Sequence, residues 1–338
     1  GGTQDDAHPN ADANGNMTID FGFVPAVSVG SVVFADYDND GIYEPQDLEN
    51  GISGVVLELF DLGVDGIKQA DGTGDDVSIG TVTTGSDGVY QFSGLYEGQY
   101  YIKVQNSQFA GGGELNGFVS STDIATSAAD NVTDNDDNGV AMGIVGAADY
   151  MVMSPVFTLT AGTEPTGLAE GGPGGTQDDV QDSNGDMTQD FGFYPTLSLG
   201  STVWVDNMAG LNATDNDGIQ NNGETGLAGV TVQLFGIGPD GVKGTADDVQ
   251  INVGPDGMLG TADDAAGGML TNAMGNYYFS NLAPGRYYVV LPSSNFASAG
   301  AAAAYQLSST PTDTNDNNED SDDNGAQMGG PGGMIMSP

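Results

Sequence analysis

"DGVYQFSGLYEGQYYIKV" occupies residues 87–104, and "GNYYFSNLAPGRYYVVL" occupies residues 275–291. In the first stretch Tyr90 and Phe92, then Tyr100, Ile102 and Val104, recur at every second position, and Tyr277 and Phe279 do so in the second. Period two places alternate side chains on one face of an extended chain, so these stretches read as strands with one buried face. Similar runs of Val, Ile, Tyr, Phe and Thr alternating with polar residues lie between clusters of Gly, Asn and Asp along the rest of the chain. No window of comparable length carries a 3.6-residue period with helix caps. Many short strands separated by turn signals predict an all-β fold, built as a sandwich whose inner faces form the core.

Outward from these stretches, the chain repeats itself. "GGTQDD" stands at 1–6 and 174–179, "DFGF" at 20–23 and 190–193, and "GSVVFAD" (30–36) matches "GSTVWVD" (200–206). "GISGVVLELF" (51–60) matches "GLAGVTVQLF" (226–235), "TDNDDNG" (133–139) matches "EDSDDNG" (319–325), and "MVMSP" (151–155) matches "MIMSP" (334–338). Self-similarity in constant order predicts tandem domains. The expected division is 27–195 for the first β-sandwich and 196–338 for the second, with 1–26 as a closing strand and linker that belong to a preceding unit.

The 338 residues include 48 Asp plus Glu against 4 Lys plus Arg, a formal charge of -44. Such self-repulsion calls for neutralising cations. Lys68, Lys103, Lys243 and Arg286 are scattered singly, so the chain has no basic patch for nucleic acid or for an anionic membrane surface. There are no cysteines for a disulfide framework or a thiolate metal site. No apolar run reaches the length of about 18 residues that a membrane-spanning helix needs, and a start at Gly1 without a signal peptide fits a processed secreted protein or a fragment of a longer one. Hydrophobic residues make up 38% and fall in organised runs, which argues for a packed core over disorder.

The acids are patterned. "DYDNDGIYEPQDLE" (36–49) follows a strand, and Asp36, Asp38, Asp40 and Gly41 give D-x-D-x-D-G, the first half of an EF-hand loop. Alternate carboxylates there converge on a hard cation, and glycine permits the tight turn, so calcium is the expected cofactor. Asp47 holds the twelfth position and Glu49 follows it, and either can close the loop. In the second copy Asp215, Asp217, Gly218 and Glu224 keep the pattern, but the first position is Ala213. Asp206, the counterpart of Asp36, is expected to reach in across the inserted "NMAGLNAT". A second pattern, "GPDGVKGTADD" (238–248), recurs as "GPDGMLGTADD" (254–264) and in looser form as "GVDGIKQADGTGDD" (63–76). Asp65, Asp75 and Asp76, then Asp240, Asp247 and Asp248, and Asp256, Asp263 and Asp264, either close around a cation or belong to hydrated glycine-rich loops. A third group, Asp134, Asp136 and Asp137 in one copy and Asp320 and Asp322 in the other, is less diagnostic by its spacing.

A strand "GSVVFADYDNDG", then "GISGVVLELFD", then "TTGSDGVYQFSGLYEGQYYIKV" resembles the calcium-binding B-domains of serine-aspartate repeat surface adhesins (SdrD B-like), relatives of the collagen-adhesin B-type immunoglobulin-like fold. The resemblance implies secreted or cell-surface rods in which calcium stiffens tandem sandwiches. By position it implies Asp36, Asp38, Asp40 and Glu49 as ligands in the first loop and Asp215, Asp217 and Glu224 in the second. Some collagen-adhesin relatives carry a Lys isopeptide bond, but strands 28–34 and 198–204 contain no Lys, so none is expected here.

Catalysis finds little purchase. The one histidine, His8, stands in a Pro-, Asn- and Asp-rich segment, and Trp204 reads as a core residue beside the second loop. The leading expectation is therefore an extracellular or cell-surface rod or fibre stiffened by calcium. A ligand-binding adhesin module with an unknown host or surface ligand is second, and a polysaccharide-active enzyme is a distant third. The partners expected are copies of the chain itself or adjoining repeats, joined head to tail. "VFTL" (156–159) and "MTQDFGF" (187–193) read as the closing strands of the first sandwich, while the second halts at the counterpart of Pro155. "MTIDFGF" (17–23) stands before the first sandwich with no sandwich of its own, so strand completion between units is expected.

Overall fold

The structure is a computed structural model that describes residues 19–69, 74–121, 136–170, 182–206, 216–221, 223–308, 322–329 and 331–338. Strands form where apolar residues alternate between turn signals: β1 (Val27–Ala35), β2 (Val56–Asp61), β3 (Val77–Thr83), β4 (Val89–Leu95), β5 (Gly98–Val104), β6 (Phe118–Ser120), β7 (Val140–Met142), β8 (Met151–Met153), β9 (Phe157–Leu159), β10 (Gly185–Asp186) and β11 (Phe191–Pro195). A one-turn helix, α1 (Asn106–Phe109), follows β5. In one sheet β1 lies between antiparallel β4 and parallel β10 and β11, and β6 flanks β11 on its far side. The other sheet runs β3-β2-β5-β8-β7, with β9 also paired to β5.

The registers Leu57↔Val104 and Leu59↔Ile102 keep the apolar residues of β2 and β5 on one face. They meet Val29, Val33, Phe92, Phe191 and Phe193 of the first sheet in a single buried core. Full burial of each such side chain contributes about 1.5–3 kcal/mol against the entropy of ordering it.

The later part of the chain repeats the plan with β12 (Leu197–Thr202), β13 (Thr231–Gly236), β14 (Val249–Ile251), β15 (Met269–Leu270), β16 (Asn276–Leu282), β17 (Tyr287–Leu291), β18 (Ala326–Gln327) and β19 (Ile335–Met336). One sheet runs β14-β13-β17-β19-β18 with β15 on β13, and β12 pairs β16. Val232, Leu234, Phe279, Leu282 and Val289 form the core between them. The chain is all-β, two immunoglobulin-like β-sandwiches in tandem.

The matching strands β1 and β12 differ in one respect. β1 is buried along almost its whole length, whereas β12 is exposed or half-buried throughout. β1 is paired on both edges, while among the described residues β12 pairs β16 alone. Trp204, expected in the core, is half-buried and lines a groove along this open edge, because among the described residues no strand covers that side.

A single residue, Thr196, separates β11 from β12, and its amide and hydroxyl both donate to the carbonyl of Gly117, at 2.9 and 3.2 Å. Across the same joint, Gly260 of the second GPDG segment lies against Val145, where a Cβ would stand 3.3 Å from Val145 Cγ2.

Candidate metal centre

Where β1 ends, Asp36 turns its carboxylate back into the loop that follows. Its Oδ1 accepts the amide of Asn39 at 2.5 Å, and its Oδ2 accepts that of Gly41 at 2.9 Å. The chain can double back so tightly because Asn39 and Gly41 sit at φ of 59° and 77°, the left-handed region that Asn tolerates and Gly favours. Asp40 Oδ1 caps the amide of Ile42. Oxygens of Asp36, Asp38 and Asp40 come within 4.8 Å of one another, the one such group of three acids among the described residues. Burial, then the charges of Asp40 and Asp36, push the Asp38 carboxyl up.

Of the two candidates for the closing position, Glu49 is the one turned inward. It is buried, and its two oxygens accept the amides of Tyr37 and Glu44 at 3.0 and 2.8 Å. Burial, resisted by those amides and reinforced by Asp36 and Asp38, raises its carboxyl to about 7. Asp47 lies in the exposed one-turn 3-10 helix Pro45–Asp47 and takes no place in the cluster.

The second copy has the same frame. Asp206 reaches the loop and accepts the amides of Asn216 and Gly218 at 2.9 and 2.8 Å, with Asn216 and Gly218 at φ of 58° and 76°. Asp217 caps Ile219, and Glu224 accepts the amide of Asn221 on Oε2, while its buried Oε1 has no hydrogen-bond partner among the described residues. The third acidic group docks onto these loops. Asp137 donates its amide to Gly41 O at 2.8 Å and Asp323 donates to Gly218 O at 2.7 Å, and bridges join Ile42 to Asp136 and Ile219 to Asp322. Asp137 Oδ1 also accepts the amide of Gly192 in β11 at 2.9 Å, so one carboxylate ties the loop to that strand. Asp134, Asp215 and Asp320 lie outside the described residues.

The GPDG segments are arranged differently. Asp248 accepts the amides of Gly238, Gly244 and Thr245 and the hydroxyl of Tyr288. Asp76 likewise takes the amides of Gly63 and Gln69 and the hydroxyl of Tyr101. The amide of Gly238, with the other donors, holds Asp248 below the usual carboxylate range. Burial would raise Asp76, but its donors outweigh it. Asp247 and Asp263 are lowered chiefly by the hydroxyls of Thr245 and Thr261. Asp65, Asp240 and Asp256 cap the amides two residues on, Asp75 accepts the amide of Asp65, and Asp264 accepts that of Gly260. Two lysines, unremarkable in the sequence, fasten these segments: Lys68 Nζ donates to Ser154 O at 2.7 Å and Lys243 Nζ to Ser337 O at 2.5 Å. Their signal was present in the recurring "MVMSP" and "MIMSP", whose serines supply the carbonyls.

An all-oxygen donor set suits a hard divalent cation. Two unit charges at 4 Å repel by about 1 kcal/mol in water and about 4 kcal/mol at the effective dielectric of a protein surface. A cation among Asp36, Asp38 and Asp40 turns that repulsion into attraction, so the residues fit calcium.

Residues 27–142 match the family model described as SdrD B-like domain. Over 299 aligned residues the chain is 31% identical to serine-aspartate repeat-containing protein F of Staphylococcus epidermidis, covering 67% of this chain and 16% of that protein. It is 28% identical over 222 residues to serine-aspartate repeat-containing protein D of Staphylococcus aureus (strain Newman), covering 65% and 12%. The chain thus spans less than a fifth of the length of these relatives. Among solved structures, it aligns with the shaft pilin SpaA of Lactobacillus rhamnosus GG at 10% identity and a TM-score of 0.27, over 78% of this chain and 85% of that one. It aligns with a minor pilin of Streptococcus agalactiae at 16% identity and a TM-score of 0.23, over 78% and 82%. The chain is an extracellular or cell-surface protein that carries an SdrD B-like domain at residues 27–142 and resembles the serine-aspartate repeat proteins over two thirds of its length.

Proposed function

We propose that the chain is a structural segment of an extracellular rod, stalk or filament, with no catalytic role, in which calcium stiffens β-sandwiches joined head to tail. Asp36, Asp38, Asp40 and Glu49 hold the ion in the first unit, and Asp206, Asp217 and Glu224 in the second. The observation that carries this reading is the convergence of Asp36, Asp38 and Asp40 on a loop that Asp137 ties to β11. An ion there braces the junction of three segments far apart in sequence. The likeness to serine-aspartate repeat proteins supports the same placement. Units follow one another in a line, each sheet completed by a strand from an adjoining repeat or a second copy.

An ion bound only by the folded state stabilises it by mass action, by about 2.7 kcal/mol at 100 times its dissociation constant. Extracellular sites of this kind have constants of about 10⁻⁴ to 10⁻³ M. Calorimetry in millimolar calcium is expected to show a melting temperature well above that in EDTA, and an unchanged one would sink the reading. In isothermal titration, Asp38→Ala with Asp40→Ala is expected to lose one calcium per chain and to lower the first transition, leaving the second nearly in place.

A further inference from the structure

In the first unit, β11 fills the space between β1 and β6. Phe191 and Phe193 are fully buried, with ring centroids 6.3 Å from Tyr90 and 5.6 Å from Phe109. The strand is held by polar groups on both sides. Gly192 N donates to Asp137 Oδ1, Asp36 N donates to Phe193 O at 2.9 Å, Ser121 N donates to Gly192 O at 3.0 Å, and Ser31 Oγ donates to Asp190 Oδ1 at 2.6 Å.

The second unit presents the same fittings around an open groove. Tyr277 and Phe296 stand for Tyr90 and Phe109, and Ser201, Asp206, Ser308 and Asp323 stand for Ser31, Asp36, Ser121 and Asp137. Between them lies a cavity of about 570 Å³, lined by Val203, Trp204, Val205, Tyr277, Phe296 and Leu307 among others. Trp204 Nε1 is buried there without a hydrogen-bond partner among the described residues. Leu199, Val203, Tyr277 and Leu291 are only partly buried, whereas their counterparts Val29, Val33, Tyr90 and Val104 are at most 3% exposed.

The chain also carries a segment of matching sequence that lies exposed among the described residues. Ile19, Phe21, Phe23 and Val24 are 68, 82, 93 and 67% exposed. Asp20–Phe23 repeats Asp190–Phe193 residue for residue. We propose that Ile19–Phe23 of one copy of the chain docks in the groove of the second unit of another copy, parallel to its Ser201–Asp206 edge. This rests on the linear-assembly reading above and names its joint. The register of the first unit, Val33↔Phe191 and Ala35↔Phe193, sets Phe21 opposite Val203 and Phe23 opposite Val205. Asp20 then accepts the hydroxyl of Ser201, and the amide of Gly22 donates to Asp323.

Ile19–Phe23 cannot reach the groove of its own chain. Three residues, Val24–Ala26, separate Phe23 from β1, as Tyr194–Thr196 separate Phe193 from β12. Four Cα steps span at most about 14 Å. Because β1 and β11 are parallel, the chain enters the first unit at the end opposite the joint with the second. The docked copies therefore repeat the connection that already joins the two units of one chain.

Gly22 gives a selective test. A Cβ on Gly22 meets nothing within 4 Å among the described residues of its own chain, but a Cβ on the seated counterpart Gly192 would stand 2.8 Å from Phe34 Cζ and 2.9 Å from Ser121 Oγ. Trp204 and Ser308 occupy those places in the groove. Sedimentation of the full chain in saturating calcium and about 0.15 M salt is expected to show mass rising with concentration, and Gly22→Val and a chain without residues 1–25 are expected to stay monomeric with the first melting transition unchanged. A peptide of residues 16–24 is expected to shift the emission of Trp204, the sole tryptophan, to shorter wavelength and to suppress association, and its Gly22→Val form to do neither. An intact chain monomeric up to its solubility, a Gly22→Val chain that associates like the intact one, or a peptide without effect on Trp204 overturns the proposal. Because calcium is saturating throughout, these outcomes stand apart from the calcium dependence of melting.

Discussion

Burial raises the carboxyl of Asp186 to about 7, against the pull of the Thr188 hydroxyl and amide and with Glu164 adding to the rise. Its folded value thus lies above that of the unfolded chain. The stability associated with the protonated form is full below about pH 4 and is lost as pH rises through about 7. A shift of that size corresponds to a few kcal/mol, at about 1.36 kcal/mol per unit. Asp186→Asn cannot ionise, so relative to the parent it is expected to gain in melting temperature as pH rises from about 4 to 7 and to level off above that, at fixed calcium. Parallel curves would show that Asp186 stays ionised throughout. At this scale the sequence is legible in part. D-x-D-x-D-G marked Asp36, Asp38 and Asp40, because local spacing alone brings those side chains together. The choice of Glu49 over Asp47 was not legible, since it turns on Leu48 adopting the left-handed conformation, φ 75°, which swings one acid in and the other out. Nor did spacing show that the GPDG acids are occupied by backbone amides, a matter of loop closure in three dimensions.

Among the elements, β11 carries the sharpest contrast. It is a five-residue strand with two fully buried phenylalanines, and it alone among the described strands sits between β1 and β6. Phe193→Ala is expected to cost about 3–5 kcal/mol in the first unit. Resolved calorimetric transitions should show the second unit within a few tenths of its parent value, as for distant sites. Equal loss in both units would mean that they melt as one body. The strands were legible from period two because each has one buried face. The pairing order was not, since β1 takes partners more than 150 positions away, and no local pattern encodes that distance. Trp204 was misplaced for the same reason: its strand pattern matches that of Phe34, but burial depends on a neighbour supplied by another part of the chain.

For the whole molecule, the internal repeat conveyed the tandem plan, and the charge of -44 conveyed the need for cations. The contacts that hold the joint were hidden, because one residue of linker and a glycine against Val145 leave no compositional mark. That first unit also has a mechanical character. Its chain enters along β1 and leaves along β11, and these strands are adjacent and parallel. Force applied to the two ends slides one strand along the other, so the hydrogen bonds between them must yield together in shear and cannot be unzipped one at a time. Single-molecule stretching is expected to show the first unit yielding at higher force than the second, whose β12 lacks such a neighbour among the described residues, and Phe193→Ala should lower that force. A second unit that resists as strongly as the first would contradict this. A groove refilled by the strand of a neighbouring copy would carry the same shear geometry across the joint, so a line of such units would have no weakest link at its seams.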